Sequence, residues 1–123
     1  MKSKKKSDSG WSLWETLVVL AIIGILALVA VPSIVKVVQQ AKVRATTMEM
    51  DTIKAVLQIY LASEGQYPDS ISVLINEGYF TEDAVLNDEW GTAYSYSTRG
   101  LQYTLTSAGQ DKEFGTEDDI IQN

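Results

Sequence analysis

The segment from Asp111 to Asp119 concentrates side chains that could bind a cation. Five of its nine residues are acidic, and charges of one sign at such spacing repel one another unless a cation or solvent relieves them. Calcium takes about six to eight oxygen ligands from carboxylates, carbonyls and water, and it tolerates irregular geometry. Gly109 and Gly115 allow the backbone to turn so that the carboxylates converge. The segment is compatible with binding a hard cation such as calcium, with a solvated acidic tail as the alternative.

This segment does not follow the register of an EF-hand, and other site chemistries lack their residues. Counted from Asp111, the fifth position is Gly115 and the twelfth is Gln122, where an EF-hand has glutamate. The sequence contains neither cysteine nor histidine, which excludes disulfides, thiolate metal sites and the commonest general base. An enzyme with paired carboxylates is a remote alternative, because no pocket-forming scaffold of adequate size is evident. The composition therefore predicts a protein that is not an enzyme.

Glu15 is a further carboxylate with a predicted role, because it lies at the start of an apolar stretch. Residues 17–31 contain no polar side chain, as a membrane-spanning helix requires. A charge at the centre of a bilayer costs about 2.5–3.5 kcal/mol on the lenient insertion scale, so such residues are usually paired or functional. The alternative interpretation places Glu15 at the headgroup boundary.

Charge is divided unevenly along the chain, whose formal net charge is −6. Residues 1–10 contain four lysines and one aspartate, and the remaining residues are strongly acidic. A lysine-rich N-terminus before an apolar run stays cytoplasmic by the positive-inside rule, so the acidic remainder is predicted to be exported. An acidic body is a poor partner for nucleic acid, whose phosphates require clustered lysine and arginine.

One long helix is predicted over residues 12–63. Its first half, to about Val38, is apolar on nearly every face, as a helix buried in lipid or in a bundle must be. Gly24 and Pro32 are predicted to make this half flexible, because proline removes a backbone donor and clashes with the preceding turn. Small residues at 30–33 could also be read as an ordinary signal-peptidase site, but the helical pattern continues beyond them.

The second half of the helix is predicted to be amphipathic. Its apolar residues follow the i, i+3, i+4, i+7, i+8 pattern of a stripe that faces a core. They are Ile53, Val56, Leu57, Tyr60 and Leu61. Met48, Met50 and Tyr60 are interpreted as plain packing residues. Gly65 is predicted to end the helix as a left-handed cap.

A short second helix is predicted within residues 69–79. Asp69 or Ser70 could cap its N-terminus, and Gly78 could end it. Residues 81–86 are predicted to form a loop or a single turn.

The C-terminal part predicts a small β-sheet. Alternating residues at 93–97 and 101–106 predict a hairpin that turns at 98–100, and residues 120–121 predict a final short strand. A hairpin alone is marginally stable, so its apolar face is expected to pack on the helical stripe. The fold class is therefore α+β, with a long N-terminal helix (a membrane half plus an amphipathic half) packed on a small antiparallel β-sheet.

The N-terminal motif resembles the class III signal of type IV pilins and type II secretion pseudopilins. The resemblance rests on the basic leader, on Gly10, and on Glu15 five residues later. It implies that a prepilin peptidase cuts between Gly10 and Trp11, that Trp11 becomes methylated, and that Glu15 neutralises the new amine during assembly. Trp11 stands where phenylalanine is usual and Trp14 where isoleucine is usual, and both keep the bulk.

Two further segments narrow the resemblance to the major pseudopilin of type II secretion systems, within the type IV pilin-like superfamily. Residues 64–68, Glu-Gly-Gln-Tyr-Pro, resemble that family's small-residue, Tyr-Pro turn after the long helix. Residues 87–96 resemble its Asp-Pro-Trp-Gly-x-Pro-Tyr-x-Tyr segment, with Glu89 and Ala93 in place of the two prolines. The resemblance covers nearly the whole chain from Gly10 onward and implies a pilin-like fold.

The resemblance also implies a set of calcium ligands. The C-terminal segment looks like the calcium loop of major pseudopilins, which closes the sheet and ends in an Asp-Ile pair. Carried over to this chain, Asp111 and Asp119 are the best side-chain ligands and Asp118 comes next. Carbonyl groups near residues 107–109 and 116–117 are implied as additional ligands.

The family implies a structural subunit that polymerises into a helical filament, the pseudopilus, and drives export of folded proteins across the outer membrane. The implied partners are further copies of the chain, the prepilin peptidase, the inner-membrane assembly platform and minor pseudopilins. The implied domains are a leader (1–10), a transmembrane and polymerisation helix (11–38) and a soluble periplasmic domain (39–123), anchored by one pass in the inner membrane. Alternatives are a type IV pilin, a minor pseudopilin, or an anchored calcium-binding module that does not polymerise.

Overall fold

The computed structural model describes residues 12–81 and 86–123. The elements are α1 (Leu13–Glu64), α2 (Ile71–Asn76), β1 (Ser95–Arg99), β2 (Gln102–Ser107) and β3 (Ile120–Gln122). A long helix followed by a small antiparallel sheet confirms the predicted α+β, pilin-like fold class. The predicted leader, with Gly10 and Trp11, lies outside the described residues.

The helix α1 begins and ends within one residue of its predicted bounds. At its start, the hydroxyl of Ser12 accepts the backbone N–H of Glu15 at 3.3 Å, as an N-cap serine does. At its end, Gly65 has a φ of 77° and donates its N–H to the carbonyl of Leu61 at 2.8 Å. Pro32 lies inside the helix without ending it, because the missing N–H removes only one rung of the hydrogen-bond ladder.

The described part of the chain divides into two units, with the boundary between Val37 and Val38. In the first unit, every described residue is exposed, and most of them are apolar. This stretch makes α1 a helix long and apolar enough to cross a membrane. A helix that is apolar on all faces needs lipid or other helices around it.

The second unit has a hydrophobic core of its own. From α1, buried residues alternate at spacings of four and three, which places them on one helix face. They are Thr46, Met50, Ile53, Leu57 and Tyr60. The same core includes residues from α2, the sheet and the turn before it. These are Ile71, Leu74, Tyr94, Tyr103 and Leu105. The hairpin therefore packs on the predicted helical stripe.

The predicted packing role is right for one methionine of α1 and wrong for another. Met50 is fully buried, whereas Met48 is 69% exposed. Two residues along an α-helix correspond to about 200° of rotation, so neighbours at this spacing point to opposite sides. A packing role is therefore confirmed for Met50 and wrong for Met48.

The three strands pair antiparallel in the order β1-β2-β3. Arg99 pairs with Gln102, so the hairpin loop consists of Gly100 and Leu101, and the predicted turn at residues 98–100 is wrong in its position. Gly100 has a φ of 61°, and a glycine at the first position of a two-residue loop is the pattern of a II′ turn, whose twist matches that of the strands. The final strand β3 is confirmed.

The predicted short helix is present as α2, but without the predicted side-chain cap. Ser70 occupies the N-cap position and makes no side-chain cap bond; its hydroxyl instead pairs with that of Ser72 at 2.8 Å. Capping by the side chain of Asp69 or Ser70 is therefore wrong. After the helix, Gly78 has a φ of 79°, in agreement with its predicted role as the helix end.

A tight turn precedes the sheet. Asn87 and Ala93 form an isolated antiparallel bridge, and inside it the backbone N–H of Asp88 donates to the carbonyl of Thr92 at 2.8 Å. The loop predicted at 81–86 falls largely outside the described residues. The carboxylate of Asp88, in this turn, is buried in the interior of the second unit.

Candidate metal site and the residues that position it

Three carboxylates converge in the connection between β2 and β3, residues 108–119, which we call the acidic loop. One oxygen atom from each of Asp111, Asp118 and Asp119 lies within 4.8 Å of the others. Oxygens at about 2.3–2.6 Å from one calcium ion can be no more than about 5 Å apart, so this spacing suits a shared cation. The structure thus brings together the three residues that were predicted as ligands.

Backbone amide groups of the loop hold these carboxylates in place. Asp118 Oδ2 accepts the N–H of Asp111 at 2.9 Å, and Asp119 Oδ2 accepts the N–H of Gly115 at 2.7 Å. Asp111 Oδ1 accepts the N–H of Glu113 at 2.9 Å. Hydrogen bonds to ionised acceptors are among the stronger ones, so these donors partly offset the repulsion among the three charges.

Thr116 joins two of the carboxylates through its hydroxyl group. Its Oγ1 lies 2.6 Å from Asp118 Oδ1 and 3.2 Å from Asp119 Oδ1, and its single proton can serve one of them at a time. The hydrogen bond from the Thr116 hydroxyl to Asp118, followed by the one from the backbone N–H of Asp111, holds the pKa of Asp118 below its usual range. The hydroxyl of Thr116 was not among the predicted site groups, although a threonine two residues before an acid is a signal visible in the sequence.

Gly109 permits the close approach on which the loop depends. Its φ is 72°, and a Cβ at this position would meet the backbone carbonyl oxygen of Asp118 and lie 2.8 Å from its Oδ2. Only glycine therefore allows the start of the loop to lie directly against Asp118.

The donor set fits calcium. All three predicted ligands are carboxylates, which are hard oxygen donors suited to calcium or magnesium and not to softer metals. Asp111 and Asp118 are exposed to solvent, so water can complete the coordination shell. The irregular backbone of the loop matches the tolerance of calcium better than the strict octahedral geometry of magnesium.

A fourth carboxylate, Asp88, is buried close to the start of the acidic loop. The residue is only 4% exposed, and its Oδ2 accepts the hydroxyl of Ser107 at 2.6 Å. Its Oδ1 accepts the backbone N–H groups of Trp90 and Thr92 at 3.1 and 2.9 Å. Asp88 was not among the predicted site residues. The signal available was its position at the head of the Asp-x-Trp-Gly pattern.

The described residues predicted for assembly and helix flexibility belong to the first unit. Glu15 lies in the first turn of α1 and is exposed. Gly24 and Pro32 lie farther along the same unbroken helix, and a Cβ at Gly24 would meet nothing within 4 Å. Gly10 and Trp11 lie outside the described residues, so cleavage between them stays a prediction.

A long helix with an apolar first part, a small antiparallel sheet packed on its second part and a carboxylate loop between the last two strands define a pilin-like protein. Residues 33–123 match the family described as type II secretion system (T2SS), protein G. The match covers most of the chain, and the chain belongs to this family, the major pseudopilins. No curated protein and no solved structure matches the chain.

Family membership confirms the predicted resemblance and sets the class of function. The chain is a structural, non-catalytic component of the type II secretion system, which works in association with other parts of that machinery and with the membrane. Its apolar N-terminal helix fits anchoring in the inner membrane. The matched range begins beyond Glu15, so the assembly role of that residue stays a prediction.

Proposed function

We propose that the chain is the subunit that polymerises into the type II secretion pseudopilus and so drives folded proteins across the outer membrane. The observation that supports this most directly is the exposure of every described residue up to Val38, in a member of the protein G family. An apolar surface of this extent needs a covering. Lipid covers it before assembly, and the helices of neighbouring subunits cover it in the filament.

Glu15 sets the register of assembly in this proposal. Cleavage after Gly10 leaves a free amine on Trp11, and an amine and a carboxylate that are each costly in apolar surroundings can neutralise one another. The amine of an incoming subunit therefore pairs with Glu15 of a subunit already in the filament. Gly24 and Pro32 provide the local flexibility that the helix needs to pack among its neighbours.

The acidic loop supplies calcium binding in the same proposal. Asp111, Asp118 and Asp119 hold the ion, which neutralises their mutual repulsion and ties β3 to the rest of the sheet. When bound, calcium supplies charge neutralisation and a rigid cross-link, and no catalytic step.

The proposed location follows from the charge pattern. The lysine-rich residues 1–10 stay on the cytoplasmic side, the apolar segment crosses the inner membrane once, and the soluble domain lies in the periplasm. The proposed partners are further copies of this chain, the prepilin peptidase, the inner-membrane assembly platform and the minor pseudopilins.

Substitution of Glu15 tests the proposed function. The chain is co-expressed with a prepilin peptidase and an assembly platform, and sheared filaments are counted by electron microscopy. We expect Glu15→Gln to abolish filaments while membrane fractionation shows unchanged or improved insertion, because loss of a charge favours insertion. Glu15→Asp keeps the charge and is the matched control, which we expect to retain assembly in part.

Mass spectrometry of the same samples checks processing. We expect the membrane-inserted chain to lack its first ten residues. Filaments of Glu15→Gln in normal number would show that Glu15 is only an interfacial residue. An intact N-terminus beside an active peptidase would contradict the proposed maturation.

A further inference from the structure

Asp88 is a buried carboxylate that takes no part in the cluster of proposed ligands. An isolated carboxylate is costly to bury, so a retained one is hydrogen-bonded. Asp88 accepts three hydrogen bonds, two from backbone N–H groups in its own turn and one from the hydroxyl of Ser107. The carboxylate of Asp88 thus has hydrogen-bond donors on both oxygens. The groups that donate these hydrogen bonds indicate its role.

On one side, hydrogen bonds through Ser107 connect Asp88 to the acidic loop. Ser107, the last residue of β2, donates its hydroxyl to Asp88 at 2.6 Å and accepts the backbone N–H of Gly109 at 3.2 Å. Gly109 in turn lies so close to Asp118 that a Cβ could not be accommodated. The position of Asp88 therefore bears on the position of Asp118 through two intervening residues, each in direct contact with the next.

On the other side, the turn that contains Asp88, residues 88–92, is seated on α1. The backbone N–H of Glu89 donates to the hydroxyl of Thr46 at 3.2 Å, and Thr46 is fully buried. The indole N–H of Trp90 donates to Gln39 Oε1 at 2.9 Å. Asp88 organises this turn by accepting the N–H groups of two of its residues.

We propose that Asp88 is a positioning residue that couples cation binding in the acidic loop to the seating of the 88–92 turn on α1. This inference rests on the proposed calcium site, with Asp111, Asp118 and Asp119 as ligands. Coupling between two sites is reciprocal, so an ion in the loop must favour the seated turn as much as the seated turn favours the ion. Changes to residues that orient metal ligands typically weaken metal affinity by roughly 10–100-fold.

Trp90 gives a direct readout of the turn. The chain contains three tryptophans, Trp11, Trp14 and Trp90. With Trp11→Phe and Trp14→Phe in the full-length chain in detergent, emission from Trp90 reports on the turn alone. Calcium chloride is titrated into the calcium-free chain, calorimetry measures the affinity, and fluorescence follows Trp90.

We expect calcium to change the Trp90 emission in the parent chain. Asp88→Asn should bind calcium roughly 10–100-fold more weakly and lose most of that emission change. Ser107→Ala removes the hydroxyl that links the turn to the loop without altering a charge, and it should shift both readouts in the same direction. Asp69→Asn is the matched control, because Asp69 is an exposed carboxylate outside the loop, and it should behave like the parent.

The outcomes distinguish this inference from the calcium proposal. A parent chain that binds no calcium overturns the proposed metal site and the coupling with it. A parent that binds calcium, together with variants at Asp88 and Ser107 that keep its affinity and Trp90 response, overturns the coupling alone. A purely structural role for Asp88 would lower the melting temperature in chelator and leave both readouts of the folded chain unchanged. If Asp88→Asn does not fold, Ser107→Ala decides in the same terms.

Discussion

The acidic loop depends on its hydrogen-bond donors as much as on its carboxylates. Asp118 receives the hydroxyl of Thr116 on one oxygen and the backbone N–H of Asp111 on the other, so both oxygens are oriented before any ion arrives. Gly109 allows the backbone around Asp118 to lie against the end of β2. In the proposed calcium site, preorganisation of this kind lowers the cost of binding the ion, since the loop needs little rearrangement.

Gly109→Ala should destabilise the chain strongly. The new Cβ would occupy a left-handed backbone conformation and would also collide with the carbonyl group of Asp118. The backbone effect alone exceeds about 1 kcal/mol, and the collision adds to it. Gly115→Ala is the matched control, because Gly115 has a φ of 88° but a Cβ there would meet nothing within 4 Å. Urea unfolding in chelator should show the larger loss for Gly109→Ala; equal losses would contradict the close approach.

Acid should weaken the calcium-free fold through Asp118. Its folded pKa is lowered, first by the hydrogen bond from Thr116 and then by that from Asp111, so it lies below the unfolded value of about 3.9. The stability that this group contributes is present above the unfolded pKa and is lost as pH falls through the folded pKa. Urea unfolding in chelator at a series of acidic pH values should show this loss, with a shallower slope for Thr116→Val. Identical slopes would contradict the assigned cause.

Among the elements, α1 could be predicted almost completely from the sequence. Its apolar first half and its core-facing stripe both repeat with helical period, and Gly65 marks an end that needs a positive φ. The hairpin was predicted with its turn misplaced, because strand alternation alone does not show which residues form the loop. The pairing of Arg99 with Gln102 and the positive φ of Gly100 decide it.

The candidate site was predicted only in part, for a physical reason. Acids that lie close in sequence, such as Asp118 and Asp119, predict a cation site because many carboxylates fall within a short segment. Asp88 does not belong to such a cluster of acids, and one of the three groups that satisfy its buried carboxylate is distant in sequence. Its partner Ser107 lies 19 residues away along the chain. That contact exists only once the sheet has formed, so no local pattern contains it.

The methionines of α1 test which helix face is the core. Met50→Ala should cost about 2–5 kcal/mol, the usual range for a fully buried methionine. Met48→Ala should change the free energy of unfolding by no more than about 0.5 kcal/mol, because the side chain is largely exposed. Chemical denaturation of both variants measures the difference. If Met48→Ala lowered the free energy of unfolding as much as Met50→Ala, the assignment of the core to the Met50 face of α1 would be wrong.

Alkaline pH should weaken the contact between Tyr94 and α1. The hydroxyl of Tyr94 donates to Glu49 at 2.8 Å, and the pKa of Tyr94 is raised, first by burial and then by this bond. A raised folded pKa contributes stability that is present below the unfolded value of about 10 and is lost as pH rises further. Unfolding at increasing pH should show this loss, and Tyr94→Phe should reduce its slope. An unchanged slope would assign the alkaline loss to other tyrosines.

At the scale of the whole molecule, the two units suit two different surroundings. The first is a helix whose described residues are all exposed and mostly apolar, and by itself it has no means of covering that surface. The second has its own core, formed by one face of α1, α2 and the sheet. The acidic loop connects β2 to the last strand, β3, so the proposed calcium site lies within the second unit.

Calcium should therefore stabilise the second unit as a whole. An ion that binds only the folded state adds RT ln(1 + [L]/Kd), which is about 2.7 kcal/mol at a hundredfold excess over Kd. For a domain of this size, that corresponds to a gain on the order of 10 °C in melting temperature. Magnesium should do less, because it requires a smaller octahedral site and gives up its water reluctantly.

The measurement is thermal melting of the full chain in detergent, followed by near-ultraviolet circular dichroism of its aromatic residues, in chelator, magnesium and calcium. Asp119→Asn removes a proposed ligand and should abolish most of the calcium effect. Asp69→Asn removes an equal charge from an exposed position outside the acidic loop, and it should keep the effect. An equal melting temperature of the unsubstituted chain in chelator and in millimolar calcium would contradict the proposed calcium site. The acidic loop would then be a solvated segment, because water would already relieve the repulsion among its carboxylates.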